Sequence, residues 1–329
     1  MKSATISTSG RLHFGLFGWG PQAFRQFGGF GLMIQKPGFI IQAKYAKTDF
    51  LEAGMEDQQA INKMLPDIRE YFKQKGFELP PLSIKVHHCI PAHHGLGSGT
   101  QRALAIGKLM AAMAGWNHPT IHEIAMATNR FPRSGVGAYG FEKGGLIVDG
   151  GHETGLGRHQ KIAPLISQMQ WPEQWRVILF IPQETQGRFG AKEMEAFVKL
   201  PSPEVNAMNS VARSILTQFL PALAETDFHR AMAALETIQR QVGEWFAPAQ
   251  SGSVYGSPLR DNLIQELKSH GLRGVGQSSW GPTLFGFSQA SDQEIQNLSK
   301  AITNQFPQIQ LQCIVTEASS QGHRLETMA

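Results

Sequence analysis

The chain has 329 residues, 41% hydrophobic and 17% charged, enough apolar content for a buried core in one large or two ordinary domains and too much for a disordered or fibrous protein. The 30 Lys and Arg against 26 Asp and Glu leave a net charge of +4, and with no basic run to track a phosphodiester backbone this excludes a nucleic-acid partner and suits an anionic small molecule. Two cysteines, Cys89 and Cys313, cannot form a disulfide framework and are expected as reduced core residues; no apolar leader opens the chain and its aliphatic runs are strand-sized, so a cytoplasmic protein with no membrane partner is expected.

Segments 3–9 and 11–17 read as short strands, and Gly31 to Gln35 with Phe39 to Tyr45 as a hairpin around Lys36-Pro37-Gly38. Ile61, Met64, Leu65, Ile68, Tyr71 and Phe72 recur at helical spacing from about Asp57, with Gly76 as the stop. Leu82 to Ile90 reads as a strand ended by Pro91; a glycine-rich turn then runs to Thr100, and Ala103 to Met113 is an apolar helix. A short helix at 119–129 and a strand at Gly145 to Asp149 follow. A boundary near 165–172 divides the chain into domains at 1–170 and 171–329. Beyond it come a strand at Trp175 to Ile181 and helices over about 189–200, 203–220, 226–246 and 258–269. A strand at Thr283 to Phe287, a helix near 291–304 and a strand at Ile309 to Thr316 close the chain, which makes the second half α+β.

Glycine is the compositional outlier, with 35 residues of which 24 fall in four clusters at 10–31, 95–99, 135–157 and 271–286. Such clusters mark backbone that approaches something closely. The richest is Pro91-Ala-His-His-Gly95-Leu96-Gly97-Ser98-Gly99-Thr100. There successive backbone N–H groups and the N-terminus of the following helix converge on an anion. It is neither a Walker A loop nor a dinucleotide fingerprint, and the plainer alternative is a tight turn with Ser98 or Thr100 as N-cap.

This segment resembles the central motif of the GHMP superfamily of small-molecule kinases. Ser9-Gly-Arg-Leu-His-Phe-Gly-Leu16 resembles that superfamily's N-terminal motif, and Gly274-Val-Gly-Gln-Ser-Ser-Trp-Gly-Pro-Thr283 its C-terminal one. The resemblance implies an α+β, two-domain fold: an N-terminal α/β domain whose glycine-rich loop Gly95, Leu96, Gly97, Ser98, Gly99 and Thr100 holds phosphate, and a C-terminal ferredoxin-like domain. Many of these kinases carry an aspartate, as base toward the substrate hydroxyl, at the position of Gly137, so phosphoryl transfer loses its usual base here. The segments Arg133 to His152 and Arg25 to Met33 instead resemble the β-ribofuranosylaminobenzene 5′-phosphate synthases, GHMP-fold enzymes of the methanopterin pathway. That resemblance implies phosphoribosyl pyrophosphate and an aryl carboxylate, 4-hydroxybenzoate or 4-aminobenzoate, as substrates, with release of pyrophosphate and CO2. It also implies Mg²⁺, and homodimers are common among such enzymes. The acidic residue expected soon after the N-terminal motif is replaced by Gly18 or Trp19. An ATP-dependent kinase and a catalytically inactive ligand-binding protein are the alternatives.

Arg133, Asp149 and His152 are the candidate catalytic residues, and Arg25, Ser134, Gly276 and Gln277 the candidate substrate contacts. Arg133 and Arg25 suit a clamp on phosphate or carboxylate, or are solvated loop charges. Asp149, ending a strand between glycines with His152 nearby, could help hold Mg²⁺ or remove a proton as the ring is restored, or could form an Asx turn. His87 and His88 alternate on a strand and cannot share an ion, and His118 and His122 lack the zinc-protease order, so no metal ligand is assigned. His93 and His94 border the glycine loop. Phe14, Phe17, Trp19, Phe24, Phe27 and Phe30 offer either an aryl pocket or core packing.

Overall fold

The computed structural model describes residues 3–130, 134–153, 161–183 and 190–328, the side chains of 190–194 excepted. The first half runs β1 (Ser3–Ser7), β2 (Gly10–Leu16), β3 (Gly29–Ile34), β4 (Ile40–Tyr45), β5 (Phe50–Glu52), α1 (Met55–Gln74), β6 (Leu82–His88), α2 (Ser98–Met113), α3 (Ile121–Ala127), α4 (Gly135–Lys143), β7 (Leu146–Asp149) and β8 (Leu165–Met169). The second runs β9 (Arg176–Pro182), α5 (Gly190–Lys199), α6 (Val205–Ser214), a π turn at Ile215–Phe219, α7 (Leu220–Ala224) and α8 (Phe228–Phe246). After a 3-10 turn at Ala247–Gln250 come α9 (Pro258–Ser269), β10 (Arg273–Gln277), β11 (Leu284–Ser288), α10 (Asp292–Gln305), β12 (Leu311–Thr316) and β13 (Arg324–Met328).

The described strands form three sheets: β13-β1-β4-β6-β5, β2-β3-β7-β8 and β10-β11-β9-β12. In the third, β11 and β12 both lie antiparallel to β9, so they run parallel to each other and α10 carries the chain across β9. Numbered in chain order, its four strands stand 4-1-3-2 when read from β12, the ferredoxin-like arrangement. The last strand, β13, returns to pair with β1.

Sequence spacing and structure part company at residues 31–45. The strands there exist, but they are not a hairpin: β3 pairs with β2 and β7, while β4 pairs with β1 and β6. Lys36-Pro37-Gly38 therefore links two sheets. The physical sign is burial, since β3 is buried at every position, as a central strand covered on both faces must be, whereas β4 varies along its length.

Packing explains the helices. Residues of α2 from Gln101 to Gly107 are all buried, so it is a core helix, apolar from Ala103 on, whose first turns bury the polar Gln101 and Arg102. The sequence left 135–143 without a helix because three of its nine residues are glycine, yet α4 forms there and packs closely on the second sheet. A Cβ on Gly135 would stand 3.0 Å from Asp149 Cβ, so the glycine permits that approach. A continuous core joins the halves through Phe14, whose ring lies 5.3 Å from Phe285 and 5.4 Å from Phe30. The cysteines are a correction: Cys89 is exposed, and Cys313 is half-buried with its thiol donating to Ser299 Oγ. Among the described residues no helix is long and apolar enough to cross a membrane.

Candidate active site

A cavity of about 470 Å³ opens where β2, the loop entering α2, the end of α8 and the loop at Ser279 to Gly281 converge. Gly95 and Gly97 have left-handed φ values of +76° and +77°, and Gly97 itself is the N-cap of α2. Ser98 and Thr100 therefore lie inside the first helical turn, not at the cap, and both line the cavity with Gly95, Gly97 and Gly99. The Thr100 and Gln101 N–H groups donate to the Gly97 carbonyl at 3.1 and 3.0 Å, and the N–H groups ahead of them lie at the positive end of the helix dipole, an arrangement made for an anion. Leu96 is buried in the core behind the loop.

Each glycine of this loop makes room for a particular neighbour. A Cβ on Gly97 would meet Arg11 Cγ at 2.5 Å, and one on Gly99 would lie 3.6 Å from Arg130 Nη2. On Gly95 it would collide with the Ser278 carbonyl. Arg11, Arg102 and Arg130 all stand in the cavity wall, and Arg102 is held by an Nη1 bond of 2.6 Å to buried Asp57 on α1. His93 pairs with Glu56 from the same helix. No Asp or Glu is among the described wall residues, so the wall itself is cationic, with Asp57 offsetting Arg102 from behind it.

Ser278 ties three motifs together. The His13 backbone N–H donates to Ser278 Oγ at 3.0 Å, Ser278 Oγ donates to the Gly95 carbonyl at 2.7 Å, and Ser279 N–H donates to the His13 carbonyl at 3.1 Å. His13 is enclosed in the wall, and burial, helped by Arg11, pushes its pKa well down, which keeps the imidazole neutral. Ser134 Oγ, 3.4 Å from His13 Nε2, donates to Asp149 Oδ2 at 2.9 Å. The same wall is aromatic in part, with Phe27, Phe197, Phe246, Trp280 and Tyr255 beside Val242 and Val254 among its lining. Behind this face lies a ring cluster in which Trp19 stacks on Phe246 at 5.4 Å and Phe246 meets Trp280 at 4.6 Å.

Of the residues expected from the sequence, Ser134, His152 and Gln277 stand in the wall with the glycine loop. Arg133 lies outside the described residues. Arg25 does not line the cavity; its guanidinium donates to the Gly150 and Gly151 carbonyls at 2.9 Å and pairs with Glu153, so it fastens a turn instead of clamping a substrate. Gly276 lies behind the wall against Gln239. Asp149 has no exposed surface: it accepts from Gly151 N–H, Val136 N–H and Ser134 Oγ, and burial raises its pKa despite those donors. Phe14 and Phe27 reach the cavity, whereas Phe24 is 97% exposed. Arg11, His13, Arg102 and Arg130 were not singled out by the sequence; the signal for the first two was their place in the Gly10-Arg-Leu-His segment.

Residues 59–138 match the family described as GHMP kinases N terminal domain. The chain is 30% identical to the β-ribofuranosylphenol 5′-phosphate synthase of Archaeoglobus fulgidus over 98% of its own length and 99% of that protein. It is 28% identical to the protein of the same name from Methanocaldococcus jannaschii, over 97% of this chain and 99% of that one. Among solved structures it resembles mevalonate diphosphate decarboxylase from Enterococcus faecalis, with a TM-score of 0.66, 15% identity and coverage of 100% of both chains. Homoserine kinase from Cytophaga hutchinsonii gives a TM-score of 0.63 at 15% identity, covering 98% of this chain and 97% of that one. At such identities these two likenesses are of fold.

Proposed function

The chain belongs to the family of β-ribofuranosylphenol 5′-phosphate synthases, and we propose that it joins phosphoribosyl pyrophosphate to 4-hydroxybenzoate in tetrahydromethanopterin biosynthesis, releasing pyrophosphate and CO2. The observation that carries the choice of substrates is that one cavity is lined both by the glycine loop with three arginines and by a cluster of aromatic rings. The pyrophosphate lies against the first turn of α2 with Arg11, Arg102 and Arg130, which stabilise the charge that develops as its bond to ribose breaks. The aryl ring occupies the space between Phe27, Phe197, Phe246 and Trp280. The relatives' name, a ribosylphenol, favours 4-hydroxybenzoate over 4-aminobenzoate as acceptor.

The ring carbon that carries the carboxylate is the nucleophile toward the ribose C1. Loss of CO2 restores the aromatic ring, so no ring proton has to be removed and the role considered for Asp149 or His152 in that step falls away. Mg²⁺ remains an expectation from the resemblance. The described wall offers neutral hydroxyl and amide oxygens, Ser98 and Thr100 among them, and no carboxylate, a donor set that does not fit Mg²⁺ held by the protein alone. Such a cation belongs with the diphosphate it accompanies, and no step here depends on it.

A kinase reading finds less support. Gly137 stands where a kinase aspartate is expected, its carbonyl accepting from Gln101 Nε2 at 2.9 Å, and a Cβ there would meet Thr100 Cγ2 at 3.0 Å. The test is to supply phosphoribosyl pyrophosphate, Mg²⁺ and carboxyl-labelled 4-hydroxybenzoate. Labelled CO2 is expected only when the pyrophosphate donor is present. ATP consumption with an alcohol acceptor and no CO2 would sink the assignment.

A further inference from the structure

We propose that His13 is the base that takes the acceptor's phenolic proton, with Ser134 and Asp149 as positioning residues that fix its tautomer; the inference rests on the acceptor assigned above. Neighbouring strands β2, β3 and β7 bring His13, Gly29 and Asp149 together. The imidazole occupies the room that Gly29 leaves, for a Cβ there would stand 3.0 Å from His13 Cε1 and 3.1 Å from Nε2. The β2–β3 register shifts between His13 and Gly15, the kind of bulge that re-aims a side chain beside a site. The backbone of His13 is pinned on both sides by Ser278 and Ser279.

The hydrogen-bond network assigns the imidazole's protons. Ser134 Oγ has one hydrogen and gives it to Asp149 Oδ2, and it accepts from Val136 N–H at 3.2 Å. Toward His13 Nε2 it is therefore an acceptor, so Nε2 carries the proton and Nδ1 the lone pair. Asp149 has no exposed surface and acts on the cavity only through Ser134. Around the imidazole stand Arg11 on the same strand, Ser134 at the N-cap of α4, Asp149 on β7 behind Ser134, and His152 in the same wall, with no described carboxylate in the wall itself. Burial, and after it Arg11, keep the imidazole neutral, as a base must be.

The electrons balance. The phenolic proton passes to Nδ1, and the oxygen's pair flows through the ring to the carbon bearing the carboxylate. That carbon bonds to C1 of the ribose while the C1–O bond breaks and its pair leaves with pyrophosphate. The dienone that results loses CO2; the pair of the broken C–C bond restores the ring, and the oxygen recovers its proton from the imidazolium. With 4-aminobenzoate the nitrogen lone pair pushes without surrendering a proton, so the same step needs no base.

This difference supplies the test. The kcat/KM for 4-hydroxybenzoate and for 4-aminobenzoate is measured with the wild type, His13→Gln, Gly29→Ala, Ser134→Ala and Ser134→Thr. His13→Gln is expected to lower the phenol-to-amine ratio on the order of 10²-fold, the usual scale of general-base catalysis. Gly29→Ala and Ser134→Ala should lower it in the same direction, and Ser134→Thr, which keeps a hydroxyl, should restore it. Turnover of the amine shows that each variant is folded. Equal loss with both acceptors in His13→Gln would reduce His13 to packing and overturn the proposal. So would a wild type that accepts 4-aminobenzoate and refuses 4-hydroxybenzoate. Release of CO2 from neither acceptor would remove the assigned function, and the base with it.

Discussion

A cationic wall built around glycines is sensitive at single atoms. Gly97 is the sharpest case because it is both left-handed and in contact with Arg11. Alanine in the left-handed region costs about 1–2 kcal/mol, and its Cβ would also displace the arginine. Gly97→Ala is therefore expected to lower the thermal midpoint and to raise the KM for phosphoribosyl pyrophosphate roughly 10-fold, a difference of about 1.4 kcal/mol, with a smaller change for the benzoate. Steady-state kinetics with each substrate varied in turn checks this. The glycines of this loop were legible because three of them in five residues, between a strand and a helix, bare the backbone N–H groups to an anion. Their arginine partners were not. Arg102 sits on a helix face and Arg130 after the short helix α3, and only the folded chain shows that both flank the same loop.

Between elements, the hydroxyl of Ser278 is the narrowest link, since it joins β2, the glycine loop and the segment after β10. Ser278 has no exposed surface, so Ser278→Ala leaves a buried N–H and a buried carbonyl without this partner, at a cost of about 1–3 kcal/mol. Urea denaturation should show that loss, together with a raised KM for the pyrophosphate donor as Gly95 loses its anchor. The elements read most securely from the sequence were those with long apolar periodicity, such as α1 and α8. The missed ones have physical causes: β5 has three residues, β8 and β13 have no fully buried position, and β10 is short and glycine-bearing. The false hairpin arose because period and turn chemistry locate strands without naming their neighbours, and Lys36-Pro37-Gly38 is turn chemistry spent on a change of sheet.

For the whole molecule, the ferredoxin-like order of the third sheet was foreseeable from the resemblance and, more dimly, from the strand–helix–strand ending. The balance of buried imidazoles was not. His13 and His323 both have pKa values lowered from 6.5, chiefly by burial, with His323 stacked on Phe141 at 4.3 Å. Below that value the unfolded chain binds protons that the folded chain refuses, so stability falls as pH falls. The slope is about 1.4 kcal/mol per pH unit for each imidazole until its lowered folded pKa is reached. Asp149, raised from 3.8, acts in the opposite sense, between that value and its folded pKa. Urea midpoints are therefore expected to drop between about pH 7 and about pH 5.5, and His323→Gln, at a residue that does not line the cavity, should remove part of the slope. A flat profile in the wild type would contradict the buried neutral imidazoles.

Trp280 belongs at once to the cavity wall and to the ring cluster of Trp19, Phe197 and Phe246. An indole in the wall is thus packed directly against rings that belong to the fold itself. A fluorescence change on adding the acceptor alone, present in the wild type and lost in Trp280→Phe, is therefore expected to report the arrival of the ring before any bond is made or broken.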